Sequence, residues 1–388
     1  MIEFEGLQPE TILQHLGEEH KAFGAVAPPL VQSSLFVFDS VDEFWSSEAW
    51  ELNTWKYTRL SNPTTEMAEK KIAALEKTEV CRLFASGMAA ISAGIMSCVN
   101  SGDHVVAVDS IYGPTRLFLT EMMARFGVEV TFVVGEDPAD FERACRPNTK
   151  LFCLESPTSI IYRLQDFKAV VAIAKERGIV TMADNSYASP IKQRPAEFGV
   201  DIVVHSATKF FGGFSDAVAG ALCCSKAHMQ KLMHHEGQLL GACISPFNAW
   251  LILRTLRTLP IKVRAHGQTA QTVTAWLREQ PWIVKVFYVD EQHPQSDLVK
   301  AQMESGGGLI TFRPISQEVE EYKRFVETLN LFQLGVSWGG HESLAVPLQM
   351  HPMDWEAPEW MVRIYCGLEH PNDLIADLDQ AAKAAGWL

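Results

Sequence analysis

The chain is expected to fold as an α/β protein: a mostly parallel sheet with helices on both faces, followed by a smaller C-terminal α+β domain. Three observations predict this. From about residue 70, short apolar runs alternate with longer amphipathic ones, the βαβα order that buries a parallel sheet between helix layers. At 388 residues the chain exceeds one typical domain, so two lobes sharing a cleft are expected. Beyond residue 226 the alternation gives way to a long helical stretch and a mixed tail.

Residues 1 to about 60 mix Pro, Ser, Trp and charge without sustained periodicity, and read as an arm of helix and loop. The apolar, β-branched runs at 80–84, 104–108, 129–134, 150–154, 179–183, 202–204 and 219–224 predict strands. Helices are predicted between them at 88–99, 115–126 and 164–177. The run at 219–224 follows a short glycine-rich link, too short for a parallel crossover, so it is free to run antiparallel. Residues 226–280 read as mostly helical, with Pro246 and Pro260 as breaks. The tail predicts a strand at 309–312, a helix near 318–328, a strand at 361–365 and a closing helix at 373–385.

Composition narrows the function. The chain is 47% hydrophobic and 21% charged, as expected of a globular enzyme with a sizeable core. A net charge of −14 argues against nucleic acid or an anionic membrane as partner. No apolar run reaches spanning length, and Met1-Ile2-Glu3-Phe4-Glu5 lacks the basic start of a signal peptide. The eight cysteines show no C-x-x-C spacing and read as buried, reduced thiols of a cytoplasmic protein. His234-His235-Glu236 lacks metal-site spacing and reads as helix surface, so no metal is expected.

The most informative segment is Asp201-Ile202-Val203-Val204-His205-Ser206-Ala207-Thr208-Lys209. A strand ends in two hydroxyl residues and a lysine, followed by Gly212-Gly213; upstream, another strand ends in Asp184-Asn185-Ser186. Parallel strands that deliver an Asp and a Lys at their carboxyl ends suit pyridoxal phosphate (PLP). Lys209 would form the imine with the cofactor aldehyde, and Asp184 would keep the pyridine nitrogen protonated. Ser206 and Thr208 alternate along the strand end, so both hydroxyls can turn toward a phosphate. Ser86, Gly87 and Met88 sit where a strand turns into a helix, whose free N–H groups attract the same phosphate. Tyr112, at another strand end, is placed to lie over the cofactor ring.

These motifs, together with Tyr57-Thr58-Arg59, Asn62-Pro63-Thr64, Glu155-Ser156-Pro157-Thr158, the run from Ser337 to Leu344 and Gly367-Leu368-Glu369, resemble the cystathionine-metabolising (trans-sulfuration) family of fold-type I PLP-dependent enzymes. The resemblance covers about residues 55–388. It implies that Lys209 is the Schiff-base lysine and that Tyr112 stacks on the ring. It implies that Asp184 meets the pyridine nitrogen, and that Ser206, Thr208, Gly87 and Met88 form the phosphate cup. Tyr57 and Arg59 would reach the cofactor of a neighbouring subunit, so a homotetramer built from active dimers is implied. Arg363 would clamp the substrate's α-carboxylate, with Ser337 beside it. The implied division is an arm at 1–60, a PLP-binding domain at 61–248 and a small domain at 249–388.

Two positions depart from the family pattern. Ser159-Ile160 stands where Asn-Pro is usual, leaving Ser159 a shorter reach toward cofactor or substrate, and Phe214 stands where His is common. Trp338 after Ser337 resembles the β-lyases. Val336 stands where γ-enzymes acting on cystathionine often carry Glu; an apolar residue there also resembles methionine γ-lyase, whose reactive Cys is replaced here by Pro114. Lys56 either selects a distal carboxylate or faces solvent. The resulting expectation is a lyase for a small sulfur-type amino acid, first of all a cystathionine β-lyase. The alternatives are γ-eliminating or γ-replacing enzymes, including a γ-lyase for a non-sulfur amino acid. Intact Lys209, Asp184, Tyr112 and Arg363 argue against a non-catalytic PLP-binding regulator.

Overall fold

The computed structural model describes residues 4–19, 21–46 and 54–388. Seven strands form the first sheet: β1 Val80–Phe84, β2 His104–Val108, β3 Glu129–Val133, β4 Thr149–Glu155, β5 Val180–Asp184, β6 Ile202–His205 and β7 Gly220–Cys224. Their order is β1-β7-β6-β5-β4-β2-β3. All pairings are parallel except those of β7, which runs antiparallel to both β1 and β6, as the short link after Lys209 requires. Strands β1, β2, β6 and β7 are buried at every residue. That is the signature of a sheet covered on both faces.

Strand alternation shows how the two faces are covered. A Cβ added at Gly94, in the helix Gly87–Met96, would meet Met182, Leu222 and Val204, so the even-numbered side chains of β5, β6 and β7 face that helix. His205 points the other way and meets Glu76 of the helix Pro63–Glu76 at 2.6 Å. Both helices start on side-chain caps. Asn62 accepts the Thr64 N–H with Pro63 in the first turn, and Ser86 accepts the Ala89 N–H.

The predicted helix at 115–126 is interrupted. A helical turn at Gly113–Leu117 gives way to a widened turn at Phe118–Met122 and a tight one at Met123–Phe126. Thr120 Oγ1 donates to the Arg116 carbonyl at 3.0 Å, a side-chain bond that competes with the helix ladder. Pro246 and Pro260 each fall in the first turn of a helix, Pro246–Leu256 and Leu259–Arg278, where a missing N–H costs nothing. Cys243 is exposed, contrary to the expectation that all the cysteines are buried, because it lies in the loop before Ser245 rather than in a strand.

A second, mostly antiparallel sheet comprises β8 Ile283–Phe287, β9 Leu309–Pro314, β10 Gln333–Leu334, β11 Leu344–Met350 and β12 Glu359–Tyr365, in the order β10-β11-β12-β9-β8. Helices Val319–Thr328 and Pro371–Ala385 share a separate apolar core with it, centred on Trp282, Phe312, Phe325, Ile364 and Leu378. Strands β8 and β11 were not expected. β8 is half exposed and β11 contains Pro347, so neither carries a clean buried alternation.

Candidate active site

A cavity of about 340 Å³ opens at the carboxyl ends of β4, β5 and β6. Its wall brings together Ser86, Gly87, Met88, Tyr112, Ser159 and Asp184, and also Ser206, Thr208, Lys209, Trp338 and Arg363. These residues arrive in short runs from several different strand ends and loops, the arrangement expected where an open parallel sheet binds a ligand.

Lys209 is the best-defined group. Its Nζ donates to Ser337 Oγ at 2.7 Å and lies 4.4 Å from the centroid of the Trp338 indole. Burial, reinforced by the Arg363 charge and opposed by Asp184, pushes the Lys209 amine down to about 8. Gly339 explains the close approach of this second-sheet loop. It sits at φ +87°, and a Cβ there would come within 2.6 Å of the Lys209 carbonyl carbon.

Asp184 is half-buried, and its desolvation raises its pKa; bonds from Ser186 and the charges of His205 and Lys209 oppose the rise. The Ser186 N–H donates to Asp184 Oδ1 at 2.9 Å. On the adjacent strand Glu155 is its register partner. Burial and the Asp184 charge push Glu155 up to about 8.

Arg363 sits in the middle of β12 and is 9% exposed. Its Nη2 donates to the Val336 carbonyl at 2.7 Å, and its guanidinium lies 5.4 Å from the Trp338 ring centroid. Tyr112 starts the turn Gly113–Leu117, and its ring remains partly exposed toward the cavity. Ser159 lines the cavity, with its hydroxyl donating to Glu155 Oε1 at 2.6 Å. The Thr208 hydroxyl is engaged by the Ala219 backbone, donating to its carbonyl at 3.1 Å and accepting its N–H at 3.0 Å.

The donors fit PLP. A Cβ at Gly87 would lie 2.9 Å from the Cβ and Oγ of Ser206, so glycine leaves room for the helix-start N–H groups to stand directly beside a serine hydroxyl. An amine depressed by desolvation and the half-buried Asp184 carboxyl group share the same cavity. Lys209 would hold the aldehyde carbon, Asp184 the ring nitrogen, and Gly87, Met88 and Ser206 the phosphate.

Tyr57 and Arg59 do not line this cavity. The Arg59 guanidinium stacks 5.0 Å from the Tyr57 ring centroid, and Arg59 borders a separate hollow with Arg82 and Cys243. Lys56 is occupied within the arm: its Nζ donates to the Phe44 carbonyl at 3.1 Å. Phe214 receives the Lys262 Nζ 4.5 Å from its ring centroid. Sequence reasoning missed Glu155, Tyr162 and Tyr187, all on the cavity wall. Glu155 was detectable, since it ends an apolar run as Asp184 does, at the strand edge where ligands collect.

The comparisons with known proteins agree with this geometry. L-methionine gamma-lyase of Porphyromonas gingivalis is 40% identical over 376 residues, covering 94% of each chain. Cystathionine beta-lyase MetC of Bacillus subtilis is 36% identical, over 93% of this chain and 92% of that one. The crystal structure of metB from Corynebacterium glutamicum matches with a TM-score of 0.90 at 31% identity, covering 98% of this chain and 99% of that one. The match to the family described as Cys/Met metabolism PLP-dependent enzyme runs through residues 10–383. With a lysine, an aspartate and a phosphate cradle converging at the strand ends, the chain belongs to the Cys/Met metabolism family of PLP-dependent enzymes.

Proposed function

We propose that this enzyme eliminates a side-chain leaving group from a sulfur-containing amino acid, with β-elimination from cystathionine as the first reading. The products would be pyruvate, ammonia and a thiol. The observation that carries this reading is the Lys209 amine, held between Ser337 and the Trp338 indole on the wall that also bears Arg363.

Bound PLP supplies an electron-withdrawing ring that accommodates the charge left at Cα. Arg363 binds the α-carboxylate through its planar fork, which makes two parallel charge-assisted bonds. Lys209 takes the Cα proton on Nζ; with its amine pushed down to about 8, a useful fraction is neutral near pH 7. Asp184 holds a proton on the ring nitrogen. Trp338 narrows the side-chain end of the cavity and offers it an apolar wall. Val336 brings no charge with which to hold a distal ammonium, so recognition of the distal group is loose.

A second reading, γ-elimination, is favoured by the 40% identity to a protein named L-methionine gamma-lyase. It needs a further proton removal at Cβ, within reach of the same Lys209 amine. The remaining alternatives are γ-replacement and a non-sulfur leaving group. We further propose that Tyr57 and Arg59 complete the site of a neighbouring subunit, within a cytoplasmic homotetramer divided at 1–60, 61–248 and 249–388. The deciding experiment offers the purified enzyme a panel of β- and γ-substituted amino acids and identifies the oxo acid by mass. Pyruvate from cystathionine supports the first reading; 2-oxobutyrate overturns it in favour of the second.

A further inference from the structure

Glu155 ends β4 beside Asp184 on β5, so two carboxyl groups adjoin one cavity. Glu155 is 6% exposed, and both its oxygens are engaged. Oε2 accepts the backbone N–H of Tyr112 at 2.7 Å, and Oε1 accepts the Ser159 hydroxyl at 2.6 Å. Its own N–H donates to Gln165 Oε1 at 3.2 Å. These bonds join the loop after β2 to the loop after β4. On the second loop, Ile160 is held at φ +72°, a left-handed conformation that a β-branched residue keeps only when its surroundings impose it.

A side chain that only filled this space would cost less as a hydrocarbon. Burying a carboxyl group is unfavourable, and a second one next door adds to the penalty. What the carboxyl group provides is a double acceptor in one rigid plane, spanning two loops that no backbone ladder joins at this point. Asp184 faces it from β5 and Cys153 lies on its own strand, while Lys209 and Arg363 lie beyond Asp184 and Tyr112.

We propose that Glu155 is a positioning residue: its carboxyl group locks the Tyr112 backbone and the Ser159 hydroxyl into one wall of the cavity and thereby fixes the tilt of the Tyr112 ring. The inference rests on the reading of Tyr112 as the residue that lies over the cofactor ring. Ser159 then acts through Glu155, with its hydroxyl proton directed into the wall.

The test compares the holoenzyme with Ser159→Ala, Glu155→Gln and Tyr112→Ala. Visible circular dichroism reads the orientation of the bound cofactor, and kcat and KM are measured separately. Ser159→Ala releases one carboxyl oxygen; it is expected to move the visible dichroism in the same sense as Tyr112→Ala and to lower kcat about 10-fold, the loss of one hydrogen bond. Glu155→Gln keeps an oxygen for the Tyr112 N–H and an amide for Ser159, so it should stay within about 3-fold of wild type. Wild-type dichroism and kcat in Ser159→Ala would overturn the proposal, as would a Glu155→Gln enzyme as impaired as Ser159→Ala. If Tyr112→Ala alone leaves both readouts unchanged, the reading of Tyr112 has failed and the proposal falls with it.

Discussion

The Lys209 Nζ sits 4.4 Å from the centroid of the Trp338 indole, so one aromatic face from the second sheet covers the amine presented by the first. A desolvated contact of this kind favours the charged amine by about 0.5–2 kcal/mol. Arg363 acts in the opposite sense and, with burial, helps to push the amine down to about 8.

This balance can be read in the protein stripped of PLP. Only the neutral amine reacts with an aldehyde, so the rate of cofactor loading should rise with pH through a midpoint of about 8. Arg363→Met removes a repelling charge and should raise the midpoint. Trp338→Ala removes the indole and should lower it by up to about one unit. Stopped-flow loading rates across pH check both directions; a midpoint near that of an ordinary lysine would refute the assignment.

Lys209→Ala should reduce turnover by at least the ~10²–10⁴-fold typical of a lost general base. Borohydride reduction of the wild-type holoenzyme, followed by peptide mass spectrometry, should place the pyridoxyl group on Lys209. A label on any other lysine contradicts the site described above.

Asp184→Asn should retain cofactor yet lose about 10²–10³-fold in kcat, because a neutral ring is a weaker electron sink. Steady-state kinetics on enzyme of confirmed PLP content decide this. Near-normal turnover would mean that another group protonates the ring nitrogen.

Glu155 makes stability depend on pH. Its folded-state value of about 8 lies above the ordinary 4.5, so folding favours the protonated acid. The associated stability is fully present below about pH 4.5 and is lost as the pH rises toward 8. Glu155→Gln cannot ionise. The difference in Tm, variant minus wild type, should therefore grow between these limits and level off above them. A difference independent of pH would show that Glu155 is ionised throughout.

Arg59→Ala and Lys209→Ala chains, each inactive alone, should regain activity when mixed into hybrid oligomers, since one of two shared sites would be intact. Native mass spectrometry verifies the hybrids. Verified hybrids without activity would place Arg59 in its own chain's site.

Much of the site was legible because its residues cluster in short motifs at strand ends. Ser206, Thr208 and Lys209 share one run, and Asp184 closes a strand whose apolar character is plain. What escaped was set by contacts distant in sequence. Ser159 was read as facing cofactor or substrate, whereas its hydroxyl bonds Glu155, and nothing in the local sequence distinguishes the two directions. The approach of Ser337 to Lys209 spans 128 residues and depends on Gly339 packing against the Lys209 backbone. β8 and β11 were missed because Lys285 interrupts the apolar run of the first and Pro347 that of the second, whereas the apolar runs of β2 and β6 are unbroken.

The separate origins of the cavity walls have a bearing on how such an enzyme changes. Asp184, Ser206 and Lys209 belong to the first sheet, whereas Ser337, Trp338 and Arg363 belong to the second and its loops. The second sheet packs Phe287, Leu309, Leu344, Met361 and Tyr365 into the core of the first and has a further apolar core of its own. A library in the loop between β10 and β11 that keeps Ser337 and Gly339, which meet Lys209, can vary Val336 and Trp338 to explore new leaving groups while the phosphate cradle on the first sheet stays intact.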